Sequence, residues 1–396
     1  MLRVAYLFER FPSFGQTFCY REVAALFRQG ADLSIFSIRR PKNEPAQEWD
    51  REVARRVIYL PDERGLVSEI DRAAGAGQLP AAACRILKEW DRRSDFLRLY
   101  QAAFVGLRLE EAGIRRVHAH FAGMAARTAY WIRQFFGIDY SVTAHANDIF
   151  VSSDFFVSLS KIFEAAATIV TVSDFSAAQL RKQFPQNAAK VRRVYNGIEP
   201  DRFRCATFEA AVPVIVSIGR LVDKKGFHDL IAACAALKAT DSAFTCKIIG
   251  DGPLQQVLSI QIAEARLVDR VQLLGAKSQE EIVDQLAAAT VFVLPCRIEA
   301  DGGMDNLPTV IMEAMAASLP VVSTPVAGVP EMVQPNVTGA LVPVRDPAAL
   351  AEAIEAVISD RSFARRLGAA GRHLAEQRFS IEANVKSLAT ILSGSD

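Results

Sequence analysis

Short apolar runs alternate with helical patterns along almost the whole chain, and few folds accommodate such an alternation. A first series of strand-like runs covers residues 4–8, 33–38, 57–60, 117–121, 140–144, 168–172 and 192–195. A second series covers residues 214–218, 245–249, 271–274, 291–294, 321–323 and 340–342. The two series are separated by an irregular segment near residues 196–212. We therefore predict an α/β protein with two doubly wound domains, each a parallel sheet with helices on both faces.

The composition of this 396-residue chain argues against several classes of protein. A net charge of +1 argues against a nucleic-acid-binding protein, which usually carries a strong basic excess. The six cysteines are widely spaced and form no CxxC pair, so we expect neither a zinc site nor redox chemistry, and a reducing compartment fits best. We find no signal peptide and no apolar run of ~18 residues, and we expect a cytoplasmic protein.

Basic residues exceed acidic ones in the N-terminal half of the chain, and acidic residues exceed basic ones in the C-terminal half. Within the first half, the helical stretch 81–113 mixes apolar residues with Arg85, Lys88, Arg92, Arg93, Arg98 and Arg108. One interpretation is peripheral contact with the inner face of the cell membrane, or with an acidic acceptor. The other is an ordinary helix that covers a sheet and exposes its charges to water.

The segment 303–333 has the order loop, apolar helix from about 308 to 317, strand at 320–323, and a loop rich in glycine and proline. Pro308 suits a first helical turn because its missing N–H needs no partner there. The free N–H groups of that turn and the helix dipole form a site for phosphate. Glu313 lies just over two turns inside the helix, where a carboxylate suits sugar hydroxyls better than phosphate. This order is half of a nucleotide-binding α/β unit.

Ligands of open α/β sheets bind at the carboxyl ends of the strands, so residues that follow the predicted strands are candidates for the site. In the second domain these are residues 219–226, residues 250–253 and the loop that ends at Asp305. In the first domain they are residues 14–17, 118–120 and 145–148.

Five signals at these positions, in this order along the chain, resemble the retaining glycosyltransferases of family 4: TAHANDIF, VYNGIEPDRF, SIGRLVDKKGF, IIGDGP and the GMDNLP…EAMA block. The resemblance implies a GT-B fold, in which two Rossmann-like domains face each other across a cleft. It implies an acceptor-binding domain at residues 1–198, a nucleotide-sugar-binding domain at 199–378, and a last helix at 379–396 that crosses back to the first domain. The sequence segments FPSFGQTF and DNLPTV are most similar to the branch of the family that builds bacterial exopolysaccharides such as colanic acid.

The resemblance implies that the donor is a UDP- or GDP-linked sugar, which the protein holds by its diphosphate. It assigns Arg220 and Lys225 to the diphosphate, where fixed positive charge stabilises the leaving group; the alternative is a surface salt bridge with Asp223. It places Glu313 on the ribose hydroxyls. The remaining candidates for donor contacts are Gly15, Gly250, Gly252, Asn306, Leu307, Thr309 and Val310.

The histidines that follow the strands of the first half are further candidates. The resemblance places His145 near the 6-hydroxyl of the sugar and the reacting carbon, with a packed core histidine as the alternative. His118 and His120 fall on one face of a strand. Because no carboxylate or cysteine has metal spacing to them, we expect no metal site. His120 and Asp148 are our candidates for the acceptor side.

Two positions depart from the family pattern. Asp305 occupies the first of two acidic positions, eight positions before Glu313, where the family carries glutamate. In family members this residue contacts the transferred sugar, so the shorter carboxylate indicates either an altered sugar choice, which we favour, or a degraded site. Gly15 and Gln16 stand where family members often carry more glycine or a Ser-Glu pair.

These features together predict a retaining, metal-independent hexosyltransferase that requires no cofactor and that acts on a lipid-linked or oligosaccharide acceptor. No carboxylate of the N-terminal half is an obvious nucleophile, which favours a front-face substitution over a covalent sugar intermediate. Two alternatives remain open, a sugar-nucleotide epimerase of similar fold and a non-catalytic partner subunit that binds a nucleotide sugar.

Overall fold

The computed structural model describes residues 2–42, 49, 51–89, 95–151 and 155–394 of the chain. The chain divides into two compact units. The first consists of the residues up to Val172, of Ser176–Val194, and of the residues from Val385 onward. The second consists of Ser173–Phe175 and Tyr195–Asn384.

The first unit is built on a parallel sheet with helices in its connections. Its strands are β1 (Arg3–Arg10), β2 (Asp32–Arg39), β3 (Val57–Tyr59), β4 (Arg116–His120), β5 (Asp139–Ala144), β6 (Thr168–Thr171) and β7 (Val191–Arg193). The helices along this part of the chain are α1 (Thr17–Arg28), α2 (Arg51–Arg55), α3 (Glu63–Gly75), α4 (Ala81–Glu89), α5 (Phe96–Glu111), α6 (Met124–Phe136), α7 (Ala146–Phe150), α8 (Leu159–Ala165) and α9 (Asp174–Gln183). The strand order is β3-β2-β1-β4-β5-β6-β7.

The second unit is built on another parallel sheet. Its strands are β8 (Val214–Ile218), β9 (Thr245–Ile249), β10 (Val271–Leu273), β11 (Val291–Leu294), β12 (Val321–Ser323) and β13 (Gly339–Leu341). The helices along this part of the chain are α10 (Phe227–Ala239), α11 (Gln255–Glu264), α12 (Gln279–Ala287), α13 (Thr309–Ala316), α14 (Pro347–Ser359), α15 (Arg361–Arg378) and α16 (Ile381–Ser393). The strand order is β10-β9-β8-β11-β12-β13.

The apolar runs form strands because both faces of each sheet are covered. The central strands β1 and β11 are buried along almost their whole length, as expected of parallel sheets packed between helices. Both sheets place the carboxyl ends of their central strands at one edge, and the chain reverses order there, from β1 to β4 and from β8 to β11. The prediction of an α/β protein with two parallel sheets is confirmed.

The start of α13 differs from the sequence expectation. Pro308 precedes α13 as its N-cap, with φ −62° and ψ 111°, and does not lie within the first turn. The residue before the helix must adopt an extended backbone, and proline allows this as readily as it allows a first turn. The residues from Val385 onward belong to the first unit, where Nη1 of Arg116 donates to the carbonyl of Leu392 at 2.8 Å.

The basic stretch 81–113 does not present all its charges to water. Arg98 is 7% exposed, and burial, followed by the charge of Arg39, lowers its pKa to about 10. Arg108 lies over the ring of Phe104 and pairs with Glu69 at 2.8 Å. Exposed positive charge remains at Arg85 and Lys88 on α4, and the predictions at Arg92 and Arg93 lie outside the described residues. No helix in the described part of the chain is long and apolar enough to span a bilayer.

Candidate active site

The candidate residues of the first unit lie where α1 meets the carboxyl ends of β4 and β5. His120 is the last residue of β4, and His145 directly follows β5. Helix α1 adds Cys19 and Glu22 from its buried face. We refer to Tyr6, Cys19, Glu22, His118, His120 and His145 as the histidine cluster.

His120 is the centre of the histidine cluster. Its Nε2 lies 3.0 Å from Oε1 of Glu22, and its Nδ1 lies 3.3 Å from Nε2 of His145. Cys19 approaches the same Nδ1 at 3.5 Å. The hydroxyl of Tyr6 donates to Oε1 of Glu22 at 2.8 Å. A hydrogen-bonded chain therefore runs from Tyr6 through Glu22 and His120 to His145.

Burial and neighbouring charges shift the pKa values of these groups and so determine which of them are protonated. Burial acts to lower the pKa of His120, but the Cys19 sulfur and the Glu22 carboxylate raise it to about 10. Burial acts to raise the pKa of Glu22, but the charge and hydrogen bond of His120 lower it overall. Burial lowers the pKa of His145 well below its usual range, and the charge of His120 adds to this effect. At neutral pH the cluster thus holds a Glu22–His120 ion pair beside an uncharged His145.

His118 takes no part in that chain. Its Nδ1 lies 2.8 Å from the hydroxyl of Ser141, and its Nε2 lies 2.9 Å from the hydroxyl of Thr143. Burial, with the charge of His120, lowers its pKa to about 3. Both ring nitrogens are therefore engaged inside the sheet, and His118 is a core histidine.

Asp148 holds the loop that carries His145. Its Oδ2 accepts the backbone N–H of His145 at 2.9 Å, across the first turn of α7. Burial raises the pKa of Asp148 to about 6, although the backbone N–H groups of His145 and Ala122 oppose this. These contacts give Asp148 a role in supporting His145, and its place on the acceptor side stays a prediction.

In the second unit, the glycines of IIGDGP allow two loops to touch. The N–H of Leu221 donates to the carbonyl of Asp251 at 2.9 Å, which joins the loop after β8 to the loop after β9. A Cβ atom on Gly252 would lie 2.6 Å from the carbonyl oxygen of Leu221. Gly250, at φ +141°, would place a Cβ atom far inside contact distance of the Gly219 carbonyl. Close approach of backbone thus explains both glycines, and the predicted donor contact is untested.

Lys225 and Asp305 form an ion pair at the ends of β8 and β11. Nζ of Lys225 contacts Oδ2 of Asp305, and Nζ of Lys224 lies 3.6 Å from Oδ1. Burial acts to lower the pKa of Lys225, but Asp305 raises it overall. Arg220 is exposed and has no ion-pair partner in the described part of the chain. Lys225, one of the two predicted phosphate ligands, therefore carries positive charge close to the loop that leads into α13.

Asp223 does not pair with these cations, contrary to the alternative weighed from sequence. It binds Nη1 of Arg297 at 3.0 Å, and Nε of Arg297 binds Asp229 at 2.7 Å. The N–H of Arg297 donates to the carbonyl of Lys224 at 2.8 Å. Arg297 thus fixes the loop that bears both lysines. The sequence analysis missed it, although its position three residues after β11 was a signal.

Helix α13 carries the remaining donor candidates. Thr309 and Val310 form its first turn, where backbone N–H groups lack partners within a helix. Glu313 is only 2% exposed, which excludes a surface glutamate. Asn306 and Leu307 are also buried, and Oδ1 of Asn306 accepts a hydrogen bond from Ser173 at 2.6 Å.

Gly15, in the first unit, is the remaining donor candidate. A Cβ atom added to it would have no other atom within 4 Å, so the space beside this glycine is open to a ligand.

Comparison with known proteins identifies the family of this chain. Residues 15–202 match the family described as Glycosyltransferase Family 4, and residues 204–374 match the family described as Glycosyl transferases group 1. The chain is 31% identical over 371 residues to the putative colanic acid biosynthesis glycosyltransferase WcaL of Escherichia coli K12, covering 90% of each chain. It belongs to glycosyltransferase family 4.

Two further matches concern a part of the chain and the fold. The chain is 39% identical over 207 residues to the amylovoran biosynthesis glycosyltransferase AmsK of Erwinia amylovora, covering 52% of this chain and 51% of AmsK. The crystal structure of Anabaena Alr3699/HepE in complex with UDP superposes with a TM-score of 0.74 at 18% identity, with all of each chain covered. The fold is therefore GT-B, as the motifs implied, and the protein is a glycosyltransferase that uses a nucleotide-sugar donor.

Proposed function

We propose that this protein is a retaining glycosyltransferase of bacterial exopolysaccharide synthesis. In this proposal it moves a sugar from a UDP- or GDP-linked donor to a lipid-linked or oligosaccharide acceptor, without a metal ion. The relatives named for colanic acid and amylovoran synthesis support the pathway. The solved UDP complex of a protein with the same fold supports the class of donor. Family membership favours a transferase over the epimerase that the sequence left open.

The single observation that carries the proposal is the cationic loop Asp223–Lys225 held beside Asp305. Lys225 is a partly buried cation, its side chain 13% exposed, with a single carboxylate partner in the described part of the chain, and a diphosphate offers a stronger partner in the same place. Arg220, from the same loop, supplies a planar fork for a second phosphate. The N–H groups of the first turn of α13 add fixed dipoles of the same sign.

In the proposed reaction these groups stabilise the charge that grows on the leaving diphosphate. The bond from the anomeric carbon to the phosphate oxygen breaks, and the bond to the acceptor oxygen forms on the same face. The acceptor proton passes to the departing phosphate oxygen. His145 lies near the reacting carbon in this proposal, and Asp305 holds a hydroxyl of the transferred sugar. The exposed Arg85 and Lys88 would contact the inner face of the membrane, where a lipid-linked acceptor is presented.

The test uses Lys225→Met and Arg220→Met, with Lys277→Met as the control. Lys277 pairs with Glu281 on the surface, far along the chain from the phosphate loop. We expect UDP or GDP at 100 times its Kd to stabilise the wild type and the control by about 2.7 kcal/mol, and the two loop variants much less. Nucleotide release in the presence of acceptor should fall with the loop variants only. Unchanged binding and turnover in both loop variants, or a product of inverted anomeric configuration by NMR, would contradict the proposal.

A further inference from the structure

The histidine cluster contains more titratable groups than the proposed reaction uses. The reaction requires His145, yet Glu22, His120 and Tyr6 are tied to it through an unbroken series of hydrogen bonds. His120 is 1% exposed, so neither a substrate nor water has ready access to it. Placing an ion pair in such a buried position is unfavourable unless its hydrogen bonds are satisfied. This arrangement needs an explanation other than direct contact with a ligand.

The relative orientation of the two imidazole rings shows how His120 contacts His145. Their facing nitrogens are 3.3 Å apart and their ring centroids are 5.5 Å apart, with the planes 22° from parallel. If the two nitrogens lay on the line between the centroids, the centroid separation would equal the nitrogen separation plus the centroid-to-nitrogen distance of each ring. The observed centroid separation is close to that maximum. Each nitrogen therefore points almost straight at the other, which is the geometry of a hydrogen bond between them.

The same geometry distinguishes a hydrogen bond between the two rings from joint coordination of a metal ion. Cys19, His120 and His145 bring their ligand atoms within 4.8 Å of one another, as a metal site would. In a tetrahedral site, however, both ring nitrogens turn toward a common point off the line that joins them. Here they face along that line, and Nε2 of His120 is paired with a carboxylate. The observations favour a proton between the two rings.

The position of the protons follows from the charges. Burial raises the pKa of the Cys19 thiol, although His120 opposes this. The Glu22 carboxylate, 3.0 Å from Nε2 of His120, is an anion that faces this ring. A positively charged His120 donates from both ring nitrogens, one hydrogen bond to Glu22 and one to His145. His145 accepts at Nε2 and cannot easily gain a second proton beside that charge.

We propose that Glu22 and His120 are positioning residues, which hold the ring of His145 in one orientation and keep it uncharged, with Nε2 as the acceptor of a hydrogen bond from His120. The chemical reason is the charge that develops during transfer. The anomeric carbon becomes positive in an oxocarbenium-like transition state, and a protonated His145 beside it would oppose that charge. The assignment rests on the proposed function for the role of His145 near the sugar, but the protonation states themselves do not.

The first experiment is therefore independent of activity. The chain has five histidines, so a protein labelled with ¹⁵N-histidine gives a spectrum that single variants can assign. Between about pH 6 and 9, we expect His120 to carry a proton on both nitrogens and His145 to carry one. In Glu22→Gln, which removes the facing anion, the pKa of His120 should fall by roughly 2 units or more. The groups that surround His120 in both proteins are Tyr6, Cys19, His118, His145 and Asp148.

The second experiment measures transfer. We expect Glu22→Gln to lower kcat by about tenfold or more, with a much smaller change in the donor KM, and to shift the pH profile of kcat. Tyr6→Phe, which removes one hydrogen bond to Glu22 and leaves its charge, should have a smaller effect in the same direction. The matched control is Glu69→Gln, a partly exposed carboxylate paired with Arg108. It should leave both the spectrum of the three clustered histidines and kcat unchanged.

Several results would overturn the assignment. One is a singly protonated His120 or a charged His145 in the wild type at neutral pH. Another is a Glu22→Gln protein that folds, shows the altered spectrum and keeps full turnover, which would leave the hydrogen bonds without a positioning role. A third is stoichiometric zinc in the purified protein that is lost in Cys19→Ser. If no donor supports transfer at all, the proposed function fails while the spectrum still decides the protonation states.

Discussion

At the scale of single residues, Asp305 has two competing partners. In the described structure its carboxylate neutralises Lys225 and approaches Lys224. In the proposed reaction, a donor diphosphate attracts the same lysines while the Asp305 carboxylate holds the transferred sugar. In the proposed reaction, one ion pair therefore affects both the affinity for the diphosphate and the contact of Asp305 with the sugar. A neutral side chain at this position should separate the two effects.

We therefore expect Asp305→Asn to bind UDP or GDP about fivefold more tightly, equivalent to about 1 kcal/mol, because both lysines lose their competing anion. Transfer should fall at the same time, because the sugar loses a charged hydrogen-bond partner. Calorimetric titration with the nucleotide and a turnover assay on one preparation would measure both. Asp301→Asn removes one exposed charge from the same loop and keeps an acceptor for the Gly303 N–H, so it should change neither quantity. Weaker nucleotide binding in Asp305→Asn would contradict this expectation.

At the scale of elements, the loops after β8 and β9 act as one piece of backbone. Their hydrogen bonds run from Leu221 to Asp251 and from Leu254 to Leu221. Gly250 and Gly252 permit this contact because a side chain at either position would meet a carbonyl group of the neighbouring loop. Precise placement of Arg220 follows from that contact, since Arg220 lies between Gly219 and Leu221.

The prediction at this scale concerns Gly250→Ala. The alanine must adopt φ +141° or move the loop, and we expect a loss of about 3 kcal/mol or more in the free energy of unfolding. Gly75→Ala at the end of α3, with open space around its Cβ position, should change stability by less than about 1 kcal/mol. Chemical denaturation of the two variants and the wild type makes the comparison. Equal midpoints and slopes for Gly250→Ala and the wild type would show that the loops are not in this contact.

The elements were the part of the structure that the sequence predicted well. Buried runs such as residues 214–218 and 291–294 became β8 and β11, because a parallel strand that is covered on both faces is mostly apolar. The positions of His145 and Lys225 after strands were also readable, since ligands gather at those ends.

The side chains that contact these residues could not be predicted from the sequence. Glu22 lies 98 positions from His120, and only the packing of α1 against β4 brings them to 3.0 Å. The same holds for Cys19, and for this reason the expected lack of a cysteine or carboxylate near the histidines was wrong. Arg98 was placed on a basic surface because helical periodicity does not reveal which side of the helix other parts of the chain will cover.

At the scale of the whole molecule, the three buried histidines lie in the first unit, so we expect the stability of this unit to depend on pH. The first unit contains three buried histidines, and their pKa values move in opposite directions. His118 and His145 have folded-state pKa values below the ordinary 6.5, so the unfolded chain binds more protons below that pH and the folded state loses stability as the pH falls. His120 has a folded-state pKa of about 10, so its stabilising contribution is complete below 6.5 and is lost as the pH rises through about 10.

We therefore expect the first unit to be most stable near neutral pH and to lose about 2–3 kcal/mol between about pH 6.5 and 4.5. Asp148 offsets part of the acid loss, because its folded-state pKa of about 6 lies above its ordinary 3.8 and the folded state binds its proton first. All three tryptophans precede residue 172, so fluorescence during denaturation follows this unit. His118→Gln should reduce the acid slope by about one proton, whereas His228→Gln, in the second unit, should leave it unchanged. A stability that is flat or rising from pH 6.5 to 4.5 in the wild type would show that these histidines are not held uncharged in the folded protein.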